Sequence, residues 1–206
     1  IIDEDERYNE QKNINLVNKD YGCDYNLIKL KDKKKNFFEV FKNLVRYHDG
    51  PISTISYFIH SFLSEQISKK GYKVSISGTG ADELFTGYYN HFLLHLAVIE
   101  GTEYFEDELK NWKKYISPNL RNKYLKDPFH YIKNKKNRNL VYETDFNLKK
   151  YSATNFKDNF KEEVYCNEIL RNRMLNELFN EVVPVILKHD DLNSMFYSVE
   201  NRSPYL

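Results

Sequence analysis

The sequence predicts an α/β fold, a partial open parallel sheet with flanking helices followed by a mainly helical segment. Two observations predict it. Up to Tyr89, helical and β-branched stretches alternate in the order of a sheet with crossover connections. Beyond Tyr89, apolar residues recur in helical rhythm and no strand is predicted. Residues 1–89 are therefore expected to form an α/β layer, and 90–206 a helical continuation of the same domain.

The elements follow in order. Between Tyr8 and Tyr21, the residues Ile14, Val17 and Tyr21 fall at helical spacing, and Gly22 follows where a helix end takes a left-handed residue. YNLIKL (25–30) reads as a short buried strand. NFFEVFKNLVRYH (36–48) puts Phe37, Phe41, Leu44 and Val45 on one helical face, and DGP closes it. A helix from Ile52 to Lys70 is expected to turn Ile55, Ile59, Phe62, Leu63 and Ile67 inward and to end at Gly71. YKVSI (72–76) reads as a strand from its β-branched content and its place before a Ser-Gly-Thr-Gly break.

Composition bounds the function. At 206 residues with 41% apolar and 16% aromatic side chains, the chain buries a real core. Lys and Arg number 31 against 30 Asp and Glu, a formal charge of +1, so no global field draws it onto nucleic acid or an anionic membrane. Lys33-Lys34-Lys35 and KNKKNR (133–138) read as solvated loops. Cys23 and Cys166 stand in no metal-ligand spacing and suit a reducing compartment. No stretch approaches the roughly 18 apolar residues of a membrane span, and IIDEDERYNE lacks the basic and apolar regions of a signal peptide. A cytoplasmic protein is expected. Beginning on II and ending on SPYL, both termini look cut from something longer.

The densest backbone chemistry lies in VSISGTGADELFTGYY (74–89). In open α/β sheets, ligands sit beyond the carboxyl ends of strands, the place that Ser77 to Gly80 occupy. Glycines 78 and 80 permit positive φ and let backbone N–H groups approach an anion. A helix beginning near Ala81 would aim its N-terminal dipole there. Asp82 and Glu83 then sit in its first turn, where they either cap the helix or, for Asp82, hold a Mg²⁺ that makes a carboxylate tolerable beside phosphate. Phe85 and Tyr88 are expected to anchor the next turn in the core.

SGTGADELFTGYY resembles the S-G-x-G-x-D-E-x-F-x-G-Y signature of the asparagine synthetase family's synthetase domain. DDLNSMFYSVENRSPYL (190–206) resembles the family's D-x-x-S-M-x-x-S-x-E-x-R-x-P-F-L segment, with Tyr205 where Phe is usual. DERYNEQKNINLVNKDYGCDYNLIKL is a looser match to the segment after the second sheet strand. The resemblance implies an adenine nucleotide alpha hydrolase-like sheet and an ATP- and Mg²⁺-dependent enzyme. Such enzymes adenylate a carboxylate, aspartate in the family, and let ammonia from glutamine displace AMP.

Carried onto this chain, the resemblance makes Ser77, Gly78 and Gly80 nucleotide contacts, puts Ile2 near the adenine and gives Asp82 to the metal. Thr79 and Glu83 take the catalytic positions. Glu200 and Arg202 match an E-x-R pair, read here as a structural ion pair that orients the loop before Pro204. Asp190 and Asp191 are expected to begin a turn before Asn193 and Ser194, and His48 and His189 to be hydrogen-bonded structural residues. A homodimer is compatible with the resemblance.

Two departures qualify the transfer. Thr79 stands where asparagine synthetases commonly carry glutamate, and a hydroxyl cannot replace a carboxylate in proton transfer. Another acceptor, such as a sugar acid in surface-polysaccharide assembly, is therefore a rival to aspartate. The pyrophosphate loop S-G-G-x-D-S does not occur in these residues, and neither does a glutaminase domain. The resemblance places that loop before residue 1, together with the domain's first strand, and a lysine beyond residue 206. These residues alone are expected to be inactive, and a non-catalytic interaction module is the third alternative.

Overall fold

The computed structural model describes residues 9, 11–134 and 161–206. Ile2, at the adenine position, and most of the KNKKNR run lie outside the described residues. In chain order the elements are α1 (Gln11–Tyr21), α2 (Phe37–His48), α3 (Ile55–Lys69), β1 (Val74–Ile76), α4 (Ala81–Phe85) and α5 (Tyr89–Val98). They continue with α6 (Phe105–Asn111), α7 (His130–Lys133), α8 (Ile169–Asn176), α9 (Val183–Phe196) and β2 (Glu200–Arg202). This is the predicted mixed architecture: a small open parallel sheet among helices, with a helical segment after it. The described residues form two compact units, one running to Ser77 and joined by Val185–Pro204, the other Gly78–Pro184 with Tyr205–Leu206.

The core of the first unit is built on Leu44, Phe58 and Phe62, with Ile28, Phe37, Phe41 and Phe196 packed around them. Phe58 is wholly buried and meets Phe37 and Phe41 edge-on, at centroid separations of 4.7 and 5.2 Å, the geometry that ring quadrupoles favour. The predicted face of α2 is therefore the one that packs. In α3 the inward stripe runs through Phe58, Ser61 and Phe62, while Ile55 and Leu63 are exposed. Burying the Phe58 ring rotates the expected face away from those two aliphatic residues.

Helix α1 ends as expected, with Gly22 at φ 63° donating its N–H to the Asn18 carbonyl at 2.8 Å. Its predicted face, however, is not buried, and Val17 and Tyr21 are exposed. YNLIKL forms no strand. It is irregular up to an isolated bridge at Lys29 and then enters a 3₁₀ turn, Leu30–Asn36, while Ile28 is buried by side-chain packing.

β2 is the strand absent from the prediction. It pairs in parallel with β1 in the register Val74↔Glu200, Ser75↔Asn201, Ile76↔Arg202. One face of the pair is laced by small polar groups: Ser75 Oγ donates to Asn201 Oδ1 at 2.9 Å, and Asn201 Nδ2 donates to Ser77 Oγ at 3.3 Å. On the other face Arg202 Nε donates to Glu200 Oε1 at 2.8 Å, the ion pair expected of the E-x-R match. Asp190 and Asp191 lie inside α9 rather than in a turn, and Asn193 in that helix donates to the Tyr57 carbonyl at 2.7 Å.

His189, also in α9, has its Nε2 2.8 Å from Ser53 Oγ and stacks on Tyr57 and on His48. Burial pulls both histidines below the usual imidazole range, and the neighbouring His189 adds to this at His48. His189 is hydrogen-bonded as expected, whereas both ring nitrogens of His48 are buried without a hydrogen-bond partner among the described residues and the ring is held by stacking.

In the second unit the core gathers Leu93, Leu94, Leu96 and Ala97 of α5 with Leu109, Trp112, Leu120 and Tyr131. Asn172 and Asn176 of α8 are wholly buried and hold residues 163–166 by their amides: Asn172 Oδ1 accepts from Tyr165 N–H at 2.7 Å, and Asn176 Nδ2 donates to the Glu163 carbonyl at 2.8 Å. Among the described residues no helix is long and apolar enough to cross a membrane.

Candidate functional site

The glycine-bordered bend follows β1 directly. Ser77, the last residue of the first unit before the bend, remains part of the sheet edge. Its N–H donates to the Arg202 carbonyl at 2.9 Å and its hydroxyl lies 3.1 Å from that of Ser203. The Ser77 N–H is thus engaged by β2, whereas Gly78 is exposed. A Cβ built on Gly78 would meet nothing within 4 Å.

Within the second unit, Gly78 to Ala81 form a tight turn closed by Ala81 N–H donating to the Gly78 carbonyl at 3.2 Å. Gly80 holds the third position of that turn at φ 93°, ψ −11°, a backbone geometry that a type II turn reserves for glycine. A side chain at Gly80 would also collide with Leu206, whose Cγ would be 2.7 Å from its Cβ. Thr79 is half-buried between the two glycines. The helix that follows, α4, has only five residues, so its dipole is far smaller than the prediction implied.

The two acidic residues of α4 have different surroundings. Asp82 is exposed and its carboxylate is folded against Gly87: a Cβ at position 87 would lie 1.9 Å from Asp82 Oδ1. Glu83 is buried, 3% exposed, and accepts a hydrogen bond from the Tyr88 hydroxyl. Burial, then this hydrogen bond and the charges of Glu83, Asp82 and Glu177, push the Tyr88 phenol far above its usual range, so it remains a donor. Phe85 is 67% exposed, not anchored in the core, and meets the ring of Tyr205 edge-on at 5.7 Å.

Behind this loop runs a buried polar chain that the prediction missed. Gly87 N–H donates to His91 Nδ1 at 3.3 Å, so the proton of the imidazole is on Nε2, which donates to Glu177 Oε2 at 2.7 Å. Glu177 Oε1 accepts from Arg173 Nε at 2.9 Å, and the same guanidinium reaches Glu162 at 3.3 Å and Glu181. Burial alone would raise Glu177, but the hydrogen bonds from His91 and Arg173 and the charge of Arg173 outweigh it and hold this carboxyl below its usual range. Glu181, by contrast, is raised by burial and by the neighbouring carboxylates against the pull of Arg173. The four-residue spacing of Arg173 and Glu177 is a signal that the sequence carries. His91 and Glu177, 86 positions apart, carry none.

A family model described as Asparagine synthase matches residues 2–206. The chain belongs to the asparagine synthase family. No curated protein and no solved structure matches it. Asparagine synthase family members are ligases of the ATP-pyrophosphatase type that act as amidotransferases. The two motifs that carry the family signature here meet twice, through Ser77 with Ser203 in the first unit and through Gly80 with Leu206 in the second.

Among the described residues no group of three or more His, Cys, Asp or Glu could cage a metal. Asp82 offers one exposed carboxylate, and a hard divalent ion takes one or two carboxylates and fills its shell with phosphate oxygens and water.

Proposed function

We propose that this chain is part of an ATP- and Mg²⁺-dependent amidotransferase that activates a carboxylate and converts it to an amide with ammonia from glutamine. The carboxylate oxygen attacks the α-phosphorus of ATP and pyrophosphate leaves. Ammonia then attacks the acyl carbon and AMP leaves, which gives the reaction of asparagine biosynthesis when the acceptor is aspartate. What supports this best is the turn from Gly78 to Asp82, where an open glycine backbone and an exposed carboxylate lie within five residues. Gly78 would admit the nucleotide phosphates and Gly80 holds the turn in shape. Asp82 would hold Mg²⁺, whose charge would neutralise the leaving pyrophosphate. Glu83, buried on Tyr88, keeps the loop in register from behind.

Thr79 supports a second acceptor. A hydroxyl at the position of the family's glutamate cannot accept a proton near neutral pH, which favours a carboxylate other than aspartate, such as a sugar acid.

The test is pyrophosphate release by the full-length protein over a panel of carboxylates, with Asp82→Ala alongside. Release that depends on one acceptor and on Asp82 identifies the substrate. No release with any acceptor would favour a non-catalytic interaction module. A first-turn carboxylate contributes only about 0.3–1 kcal/mol to its helix, so the variant should stay folded.

A further inference from the structure

We infer that His91 is a positioning residue for the metal-binding carboxylate, acting through the Gly87 backbone. This rests on the metal reading proposed for Asp82. The chain of contacts is continuous. Arg173 and His91 fix Glu177 from two sides, and Glu177 Oε2 accepts the Nε2 proton of His91. His91 is thereby held as the tautomer whose Nδ1 is a lone pair, and that lone pair accepts the Gly87 N–H. Gly87 in turn forms the wall against which the Asp82 carboxylate rests.

The chemistry explains why a histidine serves here. The position needs an acceptor on one side, for a backbone N–H, and a donor on the other, for a carboxylate. Neutral imidazole supplies both from one rigid ring. His91 is 2% exposed and Glu177 likewise, so neither touches solvent or substrate, and the pair acts only through what it holds in place. In metal sites such outer partners typically control ligand affinity by about 10- to 100-fold.

Two substitutions separate the halves of this device. His91→Asn places an amide oxygen near the former Nδ1 and can still accept the Gly87 N–H, though it gives up Glu177. His91→Gln reaches toward Glu177 and gives up Gly87. In the full-length protein, calorimetric titration of Mg²⁺ in the presence of ATP should show His91→Gln binding about 10- to 100-fold more weakly and His91→Asn close to wild type. Hydrogen exchange of the Gly87 amide provides a readout independent of turnover: it should be protected in wild type and His91→Asn and unprotected in His91→Gln.

Equal magnesium affinities for the two variants would overturn the proposal, whether both match wild type or both weaken together with their melting temperatures. A wild-type Gly87 amide without protection would overturn it even if neither variant folds. Asp82→Asn tells this failure from that of the underlying reading. If it abolishes magnesium binding while His91→Gln does not, only the positioning role is lost. If it binds magnesium normally, the metal assignment fails and this proposal with it.

Discussion

The carboxylate of Asp82 rests so closely on Gly87 that a Cβ at residue 87 would lie 1.9 Å from its Oδ1 and 3.0 Å from its Cβ. Rotation of the Asp82 carboxylate alone cannot relieve both contacts, so Gly87→Ala forces the whole side chain out of its present orientation. Gly87 is not in the left-handed region, so alanine fits its backbone conformation. Gly87→Ala should therefore lower the melting temperature modestly, through the clash and not through its own backbone conformation, while the magnesium concentration for half-maximal turnover rises about tenfold. Unchanged magnesium dependence would show that the Asp82 orientation is immaterial.

Gly78 and Gly80 should respond in opposite ways. Gly80→Ala places a Cβ in the left-handed region and against Leu206, and should cost about 1–2 kcal/mol from the backbone alone. Gly78→Val meets no protein atom within 4 Å of its Cβ, so stability should change by no more than about 0.5 kcal/mol while ATP affinity falls. Urea melts and nucleotide titrations of the two variants check both statements. A Gly78→Val protein that binds ATP normally would remove that backbone from the nucleotide site.

The sequence made the local rules legible. The 3.6-residue period gave α2, and the positive φ of Gly80 follows from a glycine set in a break after β-branched residues. It could not show β2, because Glu200, Asn201 and Arg202 have no strand propensity and owe their extended form to pairing with Val74 to Ile76. YNLIKL failed for the converse reason, an apolar run that pairs with neither β1 nor β2. At the candidate site, the glycine-bordered bend after β1 was legible from the spacing of its glycines. The contact of Phe85 with Tyr205 and the reach of His91 to Glu177 depend on residues distant in sequence, which no local pattern encodes.

Stability of the first unit should depend on pH through His48 and His189. Their folded values lie below the ordinary 6.5 of the unfolded chain, so below that pH the unfolded state takes up protons that the native state does not. Stability is therefore complete above the unfolded value and declines as pH falls from it toward the folded values. Hydrogen exchange in α3 at descending pH should show this loss of protection. His48→Gln with His189→Gln should flatten it, and an unaltered slope in the double variant would assign the effect elsewhere.

Arg173 neutralises carboxylates that have little access to water. Its side chain is 5% exposed, and those of Glu162, Glu177 and Glu181 are 8%, 3% and 12% exposed. Removing one member of such a buried cluster typically costs about 3–5 kcal/mol, because the remaining charges are left without compensation. Arg173→Leu should lose about that much near neutral pH. The deficit should also depend on pH with a definite sign. Without the guanidinium, burial and mutual repulsion raise the folded values of the carboxyls above their unfolded ones, so the native variant binds extra protons as pH falls and is stabilised relative to its unfolded chain. Urea melts at about pH 7.5 and about pH 5.5 should show the gap between variant and wild type narrowing on acidification. An equal gap at both values would mean that Arg173 acts by packing rather than by charge.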